Sequence, residues 1–443
     1  MSTSLDSAPR ERPMSVSSSE ITRHVRGLDG IRAVSVIGVF AYHLASINAW
    51  GQVEPWTAGG FLGVSTFFTL SGYVVVRRLM IEHASASSIG LRHFWTRRTR
   101  RLLPASWATL IVTGAIAASV SDYQAMRTHL GETLRAATLG VFNWQQISSG
   151  ADYAQHFAGT ASPFRHFWSL AVEEQSYVVI AVLAFLVLRG PRGQGNFRVA
   201  MVVLTVGSAW AMFRFGSYST RAYMGTDTRF AEISVGALGA LSRPWTRKSS
   251  FLNSCAWVAC VAMVLMWVRT PLESPWLYRG GLIGLAVLAV IICTSLDSQR
   301  PPSRLVSILD WAPIAWLGRV SYGVYLIHWP VLLFTRAPHF GDVPDWARGA
   351  LQIALTLALA AISYRYLEQP IRNVRVLRPP RFLIAVVVVL VTLMASSVTV
   401  FEDRPSALET AIADRDHVVD PRTSTGSTST PSQGRPSLRE PRV

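Results

Sequence analysis

An arginine and a histidine lie eleven residues apart, at Arg32 and His43, in the segment GLDGIRAVSVIGVFAYHL. On a helix this spacing is close to three turns, so both side chains point the same way, roughly 16 Å apart along the axis. An ionisable group inside an apolar run is costly, and its default interpretation is a functional site. A neutral imidazole there could take a proton from a hydroxyl. The alternative is a histidine hydrogen-bonded inside a helix bundle, with an interfacial arginine that reaches for lipid headgroups.

Two further segments offer groups for binding. The run FWTRRTRRLLP places Arg98 and Arg101 one helical turn apart on one face. Arginine forks suit phosphate oxygens, so this pair could hold a nucleotide-like cofactor, although the positive-inside rule is the simplest explanation of the segment. The run GGFLGVSTFFTLSGY could expose the Ser71 hydroxyl to a cavity, or its glycines could serve close helix packing alone.

Carboxylates and aromatic residues complete the set of candidates. Glu173 and Glu174 in FWSLAVEEQSY point in different directions on a helix, so at most one of them would line the same cavity as the histidine. A carboxylate near a histidine can orient the ring; the alternative is a pair of polar contacts at the membrane surface. Tyr322, Tyr325 and His328 fall on adjacent turns of WLGRVSYGVYLIHWP, and we expect Tyr322 and His328 to line the cavity. Bundle packing or an aromatic belt is the commoner role for a histidine in that position.

The elements that must position these residues are membrane helices. Half of the 443 residues are hydrophobic and only 15% are charged, which is typical of a polytopic membrane protein. The net charge of +16 comes mostly from arginines between apolar runs, so it indicates topology, and no nucleic-acid partner is predicted. Three cysteines within apolar runs have no zinc-ligand spacing, and no metal site is expected. The fold class is therefore predicted to be an all-α transmembrane helical bundle with about 10–11 spans. These lie near 30–49, 60–76, 102–120, 168–188, 198–214, 229–242 (the shortest), 251–268, 279–296, 311–334, 348–367 and 382–401.

The arginine bias predicts a topology and a domain organisation. Arginines cluster in alternate loops, while loop 46–59 contains no basic residue, so we expect the N-terminus to be cytoplasmic and the C-terminus extracytoplasmic. Residues 1–26 are expected to be a disordered cytoplasmic extension and residues 27–375 the membrane domain. Residues 376–401 would add one transmembrane helix, and residues 402–443 would be a disordered extracytoplasmic tail.

Six segments, in order along the chain, resemble the acyltransferase 3 family of integral-membrane acyltransferases. This family includes O-antigen and exopolysaccharide O-acetyltransferases and macrolide acyltransferases. The resemblance covers about residues 27–375. The segments are Leu28-Asp29-Gly30-Ile31-Arg32 through His43; Gly63 through Phe67-Phe68-Thr69-Leu70-Ser71-Gly72-Tyr73; Arg98 through Arg101 and Pro104; Trp168-Ser169-Leu170 through Glu173; Ser321-Tyr322 through His328; and Glu368 before Pro370.

The resemblance implies roles for particular residues. It implies that His43 is catalytic, that Arg32 supports the site at its donor end, and that Arg98 and Arg101 bind the acyl donor. The family's glutamate falls on Glu173, which is expected to be the catalytic partner of the histidine. The implied donor is acetyl-CoA or another acyl-CoA, with no permanently bound cofactor. The implied acceptor is a hydroxyl of a carbohydrate, a glycolipid or a related cell-envelope or secondary-metabolite compound at the cell membrane.

Two departures and one rival function accompany this interpretation. Family members often carry an acidic residue where this chain has Ser65, and many carry a hydrolase-like domain after an eleventh span. Only a tail is expected here, so no two-domain relay of the acyl group is predicted within this chain. Direct transfer to the acceptor and transfer through an acyl-histidine remain open alternatives. The rival is a secondary transporter or a flippase of a lipid-linked sugar, but such proteins tend to have paired halves, and the sequence contains no such repeat.

Overall fold

The structure is a computed structural model, and its described part consists of helices joined by turns and loops, with no strand. It describes residues 25–48, 55–86, 88–119, 130–150, 162–242, 250–298, 303–336 and 343–373. Ten long helices are labelled here α1 (Leu28–Asn48), α2 (Leu62–Ala86), α3 (Leu91–Ser119), α4 (Phe167–Val187), α5 (Gly193–Phe215), α6 (Thr226–Leu241), α7 (Ser250–Arg269), α8 (Leu282–Ser298), α9 (Ala312–Phe334) and α10 (Asp345–Ser363). Short unlabelled helices are Leu130–Thr138, Phe142–Ser148, Thr220–Met224, Arg304–Leu309 and Gln369–Asn373.

The predicted all-α transmembrane bundle is confirmed. The ten long helices overlap the first ten predicted spans, although α2 extends ten residues beyond its predicted end and α3 begins eleven residues earlier than predicted. Within the described ranges, eight helical segments are long and apolar enough to cross a membrane. Neither α6, with 16 residues, nor α9, with its arginine, histidine and prolines, is among those eight. The predicted eleventh span, the N-terminal extension up to residue 24 and the tail at 402–443 lie outside the described residues.

Glycines bring α2 and α6 into backbone contact. A Cβ atom built on Gly72 would overlap the carbonyl oxygen of Ile233, and one on Gly236 would overlap the carbonyl oxygen of Thr69. Only glycine fits at such a crossing, since the backbone of one helix occupies the space that a side chain would need. This contact fixes the position of α2, which carries Ser71, against α6.

The helix pair α1 and α9 is in contact near both of its ends. At one end, a Cβ atom on Gly318 would overlap the backbone of Asp29. Towards the other end, His43 of α1 meets His328 of α9. The two helices, which carry half of the eight predicted site residues, therefore form one packed pair.

The peripheral helices expose apolar side chains. Val203, Val206 and Phe213 on α5 are each about three-fifths exposed, and Phe251 and Val258 on α7 are more exposed still. A soluble protein rarely leaves such continuous apolar faces in water, whereas lipid tails cover them at no cost in desolvation. Together with the eight long apolar helical segments, these faces are those of a multi-pass membrane protein.

Candidate active site

One cavity lies between α1, α2, α3, α4 and α9. It contains about 710 Å³ of space free of protein atoms, part of it open to solvent. Its polar lining consists of Arg32, Ser71, Arg98, Arg101, Ser169, Glu173, Tyr177, Ser321, Tyr322 and Tyr325. The sequence analysis named six of these ten residues as site residues, and the fold brings those six to one cavity from five different helices.

Three guanidinium groups give one end of this cavity a positive character, and we call it the arginine end. Arg32 donates from Nη1 to Asp29 Oδ1 at 2.8 Å, one helical turn away on α1. The Arg98 guanidinium lies 3.6 Å from the centroid of the Tyr177 ring, which fixes its plane by a cation–π contact. Arg101 of α3 completes the cluster on the lining. Clustered guanidinium groups in a partly buried cleft favour a ligand with several negative charges.

The cavity carboxylate belongs to a short chain of hydrogen bonds. The Tyr177 hydroxyl donates to Ser71 Oγ at 2.7 Å, and Ser71 Oγ donates to Glu173 Oε1 at 2.5 Å. Glu174 instead lines a second, smaller cavity near Gly140. The two neighbouring carboxylates thus face different cavities, as expected for adjacent positions on a helix.

Two imidazoles meet at the opposite end of the α1–α9 pair, which we call the histidine end. His43 Nδ1 lies 3.0 Å from His328 Nε2, and the rings meet end to end, with centroids 5.2 Å apart and planes that differ by 24°. The second nitrogen of His328, Nδ1, lies 2.6 Å from the Tyr325 carbonyl oxygen and 3.2 Å from that of Val324. His43 is 5% exposed and His328 is fully buried. The His166 ring stands edge-on to His328, with centroids 5.7 Å apart.

Tyr325 lies between the cavity and the histidine pair. Its hydroxyl faces the cavity lining, where it shares a 2.5 Å hydrogen bond with Ser169 Oγ, while its backbone carbonyl accepts from His328. His43 and His328 are not among the residues that line the cavity in the described part of the chain. Within the same part, no hydrogen bond joins His43 to Glu173. The site thus has two levels, a basic cavity and a buried imidazole pair.

Sequence reasoning did not select several residues of this arrangement. Tyr177, Ser169 and His166 all lie on or beside α4, on the face that holds Glu173. Their positions relative to Glu173 are four residues after, four before and seven before, which is the repeat of one helix face. That spacing was the available signal. What it could not supply was the identity of the partners on α2 and α9.

Ser65, where family members often carry an acidic residue, lies against a buried arginine of α6. Ser65 Oγ accepts from Arg229 Nη2 at 2.9 Å, and Arg229 is fully buried in α6. Glu232, one turn further along α6, forms an ion pair with Arg229 at 2.7 Å. The rings of Phe68 and Tyr223 face the same guanidinium. In this chain the counter-charge for the buried arginine therefore comes from α6, and residue 65 contributes a neutral hydroxyl.

The fold and the site define a helical membrane protein with a basic cavity at one end of the α1–α9 pair and a buried imidazole pair at the other. The family model described as an acyltransferase domain matches residues 25–400, and the chain belongs to that family. The family resemblance found in the sequence is thereby confirmed.

Three curated relatives show how the chain compares with named proteins. It is 34% identical over 364 residues to a putative peptidoglycan O-acetyltransferase of Bacillus subtilis, covering 79% of this chain and 55% of that protein. It is 33% identical over 362 residues to a peptidoglycan O-acetyltransferase of Listeria monocytogenes, covering 79% and 56%. A putative O-acetyltransferase of Staphylococcus aureus is 30% identical over 363 residues, covering 79% and 58%. The chain spans little more than half the length of these relatives, and no solved structure matches it.

Proposed function

We propose that this protein is a membrane O-acyltransferase that moves an acetyl or other short acyl group from an acyl-CoA to a hydroxyl of a cell-envelope glycan. The observation that carries the proposal is the alignment on α1 of a basic cavity at Arg32 with a buried histidine at His43. The names of the relatives favour peptidoglycan or a related cell-wall glycan as the acceptor class. In this proposal the donor is a substrate and not a resident cofactor.

The arginine end supports a phosphorylated donor. Arg32, Arg98 and Arg101 come from α1 and α3 and line one cavity. Guanidinium groups bind phosphate oxygens through two parallel hydrogen bonds, and they hold their charge at every physiological pH. A coenzyme A thioester would place its phosphates at these groups and extend its pantetheine arm inward. Helix rise puts His43 roughly 16 Å further along α1, a span that such an arm can cover.

The chemical step assigns His43 the role of general base. The acceptor oxygen attacks the thioester carbonyl carbon, His43 removes the hydroxyl proton, and the carbon–sulfur bond breaks as the new carbon–oxygen bond forms. His43 then returns the proton to the departing thiolate. Transfer through an acyl-histidine would use the same residue as nucleophile and leave the stoichiometry unchanged. Glu173 would act from the cavity wall, where Ser71 and Tyr177 hold its carboxylate in place.

The route to His43 passes an aromatic pair. The rings of Phe67 on α2 and Tyr325 on α9 both line the cavity and meet edge to face, with centroids 6.3 Å apart. Tyr325 also contacts His328, with ring centroids 5.4 Å apart. A thioester that enters from the arginine end would therefore have to displace this pair before it reached His43.

The first experiment changes His43 to alanine in the purified full chain. A positioned general base typically contributes about 10²- to 10⁴-fold, so acyl transfer from radiolabelled acetyl-CoA to glycan fragments should fall by that factor. Melting temperature and donor affinity should stay near the wild-type values. His93→Ala is the control because His93 is exposed on α3. A folded His43→Ala protein that transferred at the control rate would contradict the mechanism.

The second experiment tests the donor site and the rival function. Arg98→Gln and Arg101→Gln should each weaken acetyl-CoA binding, because each removes a charge from the cavity lining. Arg97→Gln is the matched control, since Arg97 forms an ion pair with Glu82 and is absent from that lining. Equal donor affinity in all three variants would leave the arginines as topology signals. A transporter or flippase would move its sugar without consuming acyl-CoA, so transport without acyl transfer would refute the proposed function.

A further inference from the structure

We infer that His328 is a positioning residue that holds His43 in one tautomer, with the proton on Nδ1 and the lone pair on Nε2. The inference rests on the proposed function, since it concerns the base of the transfer reaction. It assigns to a neutral imidazole the orienting role that the sequence analysis gave to a carboxylate.

The geometry around His328 determines where its proton lies. Nδ1 is 2.6 Å from the Tyr325 carbonyl oxygen and 3.2 Å from the Val324 carbonyl oxygen, and a carbonyl oxygen can only accept. His328 Nδ1 therefore carries hydrogen. In a neutral ring the other nitrogen, Nε2, then has the lone pair and must accept from its neighbour.

The group next to the lone pair on His328 Nε2 is the imidazole of His43. Its Nδ1 lies 3.0 Å from His328 Nε2, so Nδ1 of His43 must be the donor. The lone pair of a neutral His43 is then on Nε2, the nitrogen turned away from His328. The carbonyl oxygens of α9 thus orient His328, and His328 orients His43, so this chain of hydrogen bonds fixes the tautomer of the base while both rings are neutral.

The surroundings favour a neutral pair in the resting protein. The Trp329 ring stands edge-on to His43 and the Phe40 ring edge-on to His328, and both imidazoles are almost entirely buried. Burial disfavours the charged form of an imidazole, so both rings are neutral in the resting protein, and an imidazolium forms as the reaction supplies its proton.

The hydrogen bond between His43 and His328 becomes stronger as the reaction proceeds. When His43 Nε2 takes the acceptor proton, the ring becomes positively charged and its Nδ1–H bond to His328 becomes charge-assisted. The stabilisation is therefore larger in the transition state than in the ground state, which is the condition for a gain in rate. Glu173 cannot substitute for His328 here, because it bonds to Ser71 on the cavity wall.

The test compares two substitutions of similar size in the full-length protein. His328→Gln keeps an oxygen that can accept from His43 Nδ1, whereas His328→Leu removes the acceptor. We expect kcat to fall about 10²-fold or more in His328→Leu, by analogy with loss of the orienting residue in a catalytic triad, and to stay within about 5-fold in His328→Gln. KM for acetyl-CoA should change little in either. His93→Leu controls for loss of a remote imidazole.

A purely structural role predicts the opposite order. Leucine suits a buried apolar position better than glutamine, so His328→Leu would then retain more activity and a higher melting temperature. That order, or equal kcat in the two variants, would overturn the inference. A second readout is the ¹⁵N spectrum of histidine-labelled protein, with the His43 signals assigned from His43→Ala. Protonation at His43 Nε2 instead of Nδ1 would also overturn it. If the wild-type protein transfers no acyl group, the proposed function has failed, and the spectrum still decides the tautomer.

Discussion

Replacing Gly72 with alanine tests whether the α2–α6 crossing sets the geometry of the cavity. The new Cβ would overlap the Ile233 carbonyl oxygen, and backbone cannot rotate out of the way as a side chain can. Ordinary contact distances are about 3.5–4.0 Å, so the two helices would have to separate by roughly 1 Å or more. Overpacking of this kind typically costs about 1–3 kcal/mol. At about 1.4 kcal/mol per factor of ten, the ratio of folded to unfolded protein should fall roughly 5- to 150-fold.

The same displacement should reach the candidate active site. Ser71 precedes Gly72 and bonds to Glu173 of α4 at 2.5 Å, a distance that a shift of about 1 Å would stretch to the limit of a hydrogen bond. The assay combines a thermal melt in detergent with acyl transfer at a temperature where the variant stays folded. Gly207→Ala on α5 is the matched control, because nothing lies within 4 Å of its added Cβ. Unchanged stability and activity in Gly72→Ala would show that this crossing is looser than the structure implies.

Three further predictions address the core, the cavity wall and the topology. Glu232→Gln should destabilise the protein by about 3–5 kcal/mol, because it leaves the Arg229 charge buried without its ion pair, whereas replacing both residues by methionine should recover most of the thermal stability. Tyr177→Phe should reduce transfer without unfolding the protein, since it removes only the hydrogen bond to Ser71, and kcat beside the melting temperature checks this. A reporter that is active only outside the membrane, fused to the C-terminus, should give signal; a signal from a cytoplasmic reporter instead would contradict the predicted topology.

The sequence predicted the positions of the helices, but not which side chains meet between them. Apolar runs of near-bilayer length located all ten long helices, because the membrane requires every backbone group to bond within its own segment. The phase of Arg32 and His43 on α1 also followed from periodicity alone. The His43–His328 contact could not, since it joins residues 285 positions apart and depends on how α1 packs against α9.

The carboxylates illustrate the same limit. Adjacent positions on a helix face different ways, so the prediction that at most one of Glu173 and Glu174 would face the cavity needed no tertiary information. The hydrogen-bond partner of Glu173 could not be predicted in this way. Ser71 reaches Glu173 from α2, whose position depends on the close approach of α2 and α6 at Gly72. The predicted roles of Glu173 and His43 in catalysis remain predictions.

The packing of α1 against α9 also limits how many times the chain can cross the membrane between these two helices. Asp29 meets Gly318 near the start of both helices and His43 meets His328 towards their ends, so α1 and α9 run in the same direction. Consecutive spans alternate in direction, and two of them are parallel only when an even number of reversals separates them. The eight reversals from α1 to α9 satisfy this condition only if the 16-residue α6 is itself a crossing.

The same argument extends to α10, the last of the ten long helices. Gln352 of α10 donates to Thr335 just after α9, and Ala360 of α10 packs against Gly323 in the middle of α9, so these two helices are antiparallel. If each of the ten helices from α1 to α10 crosses the membrane once, the number of crossings is even. The end of α10 then lies on the same side of the membrane as the start of α1. One residue labelled from one side of the membrane would then assign the side of every loop between them.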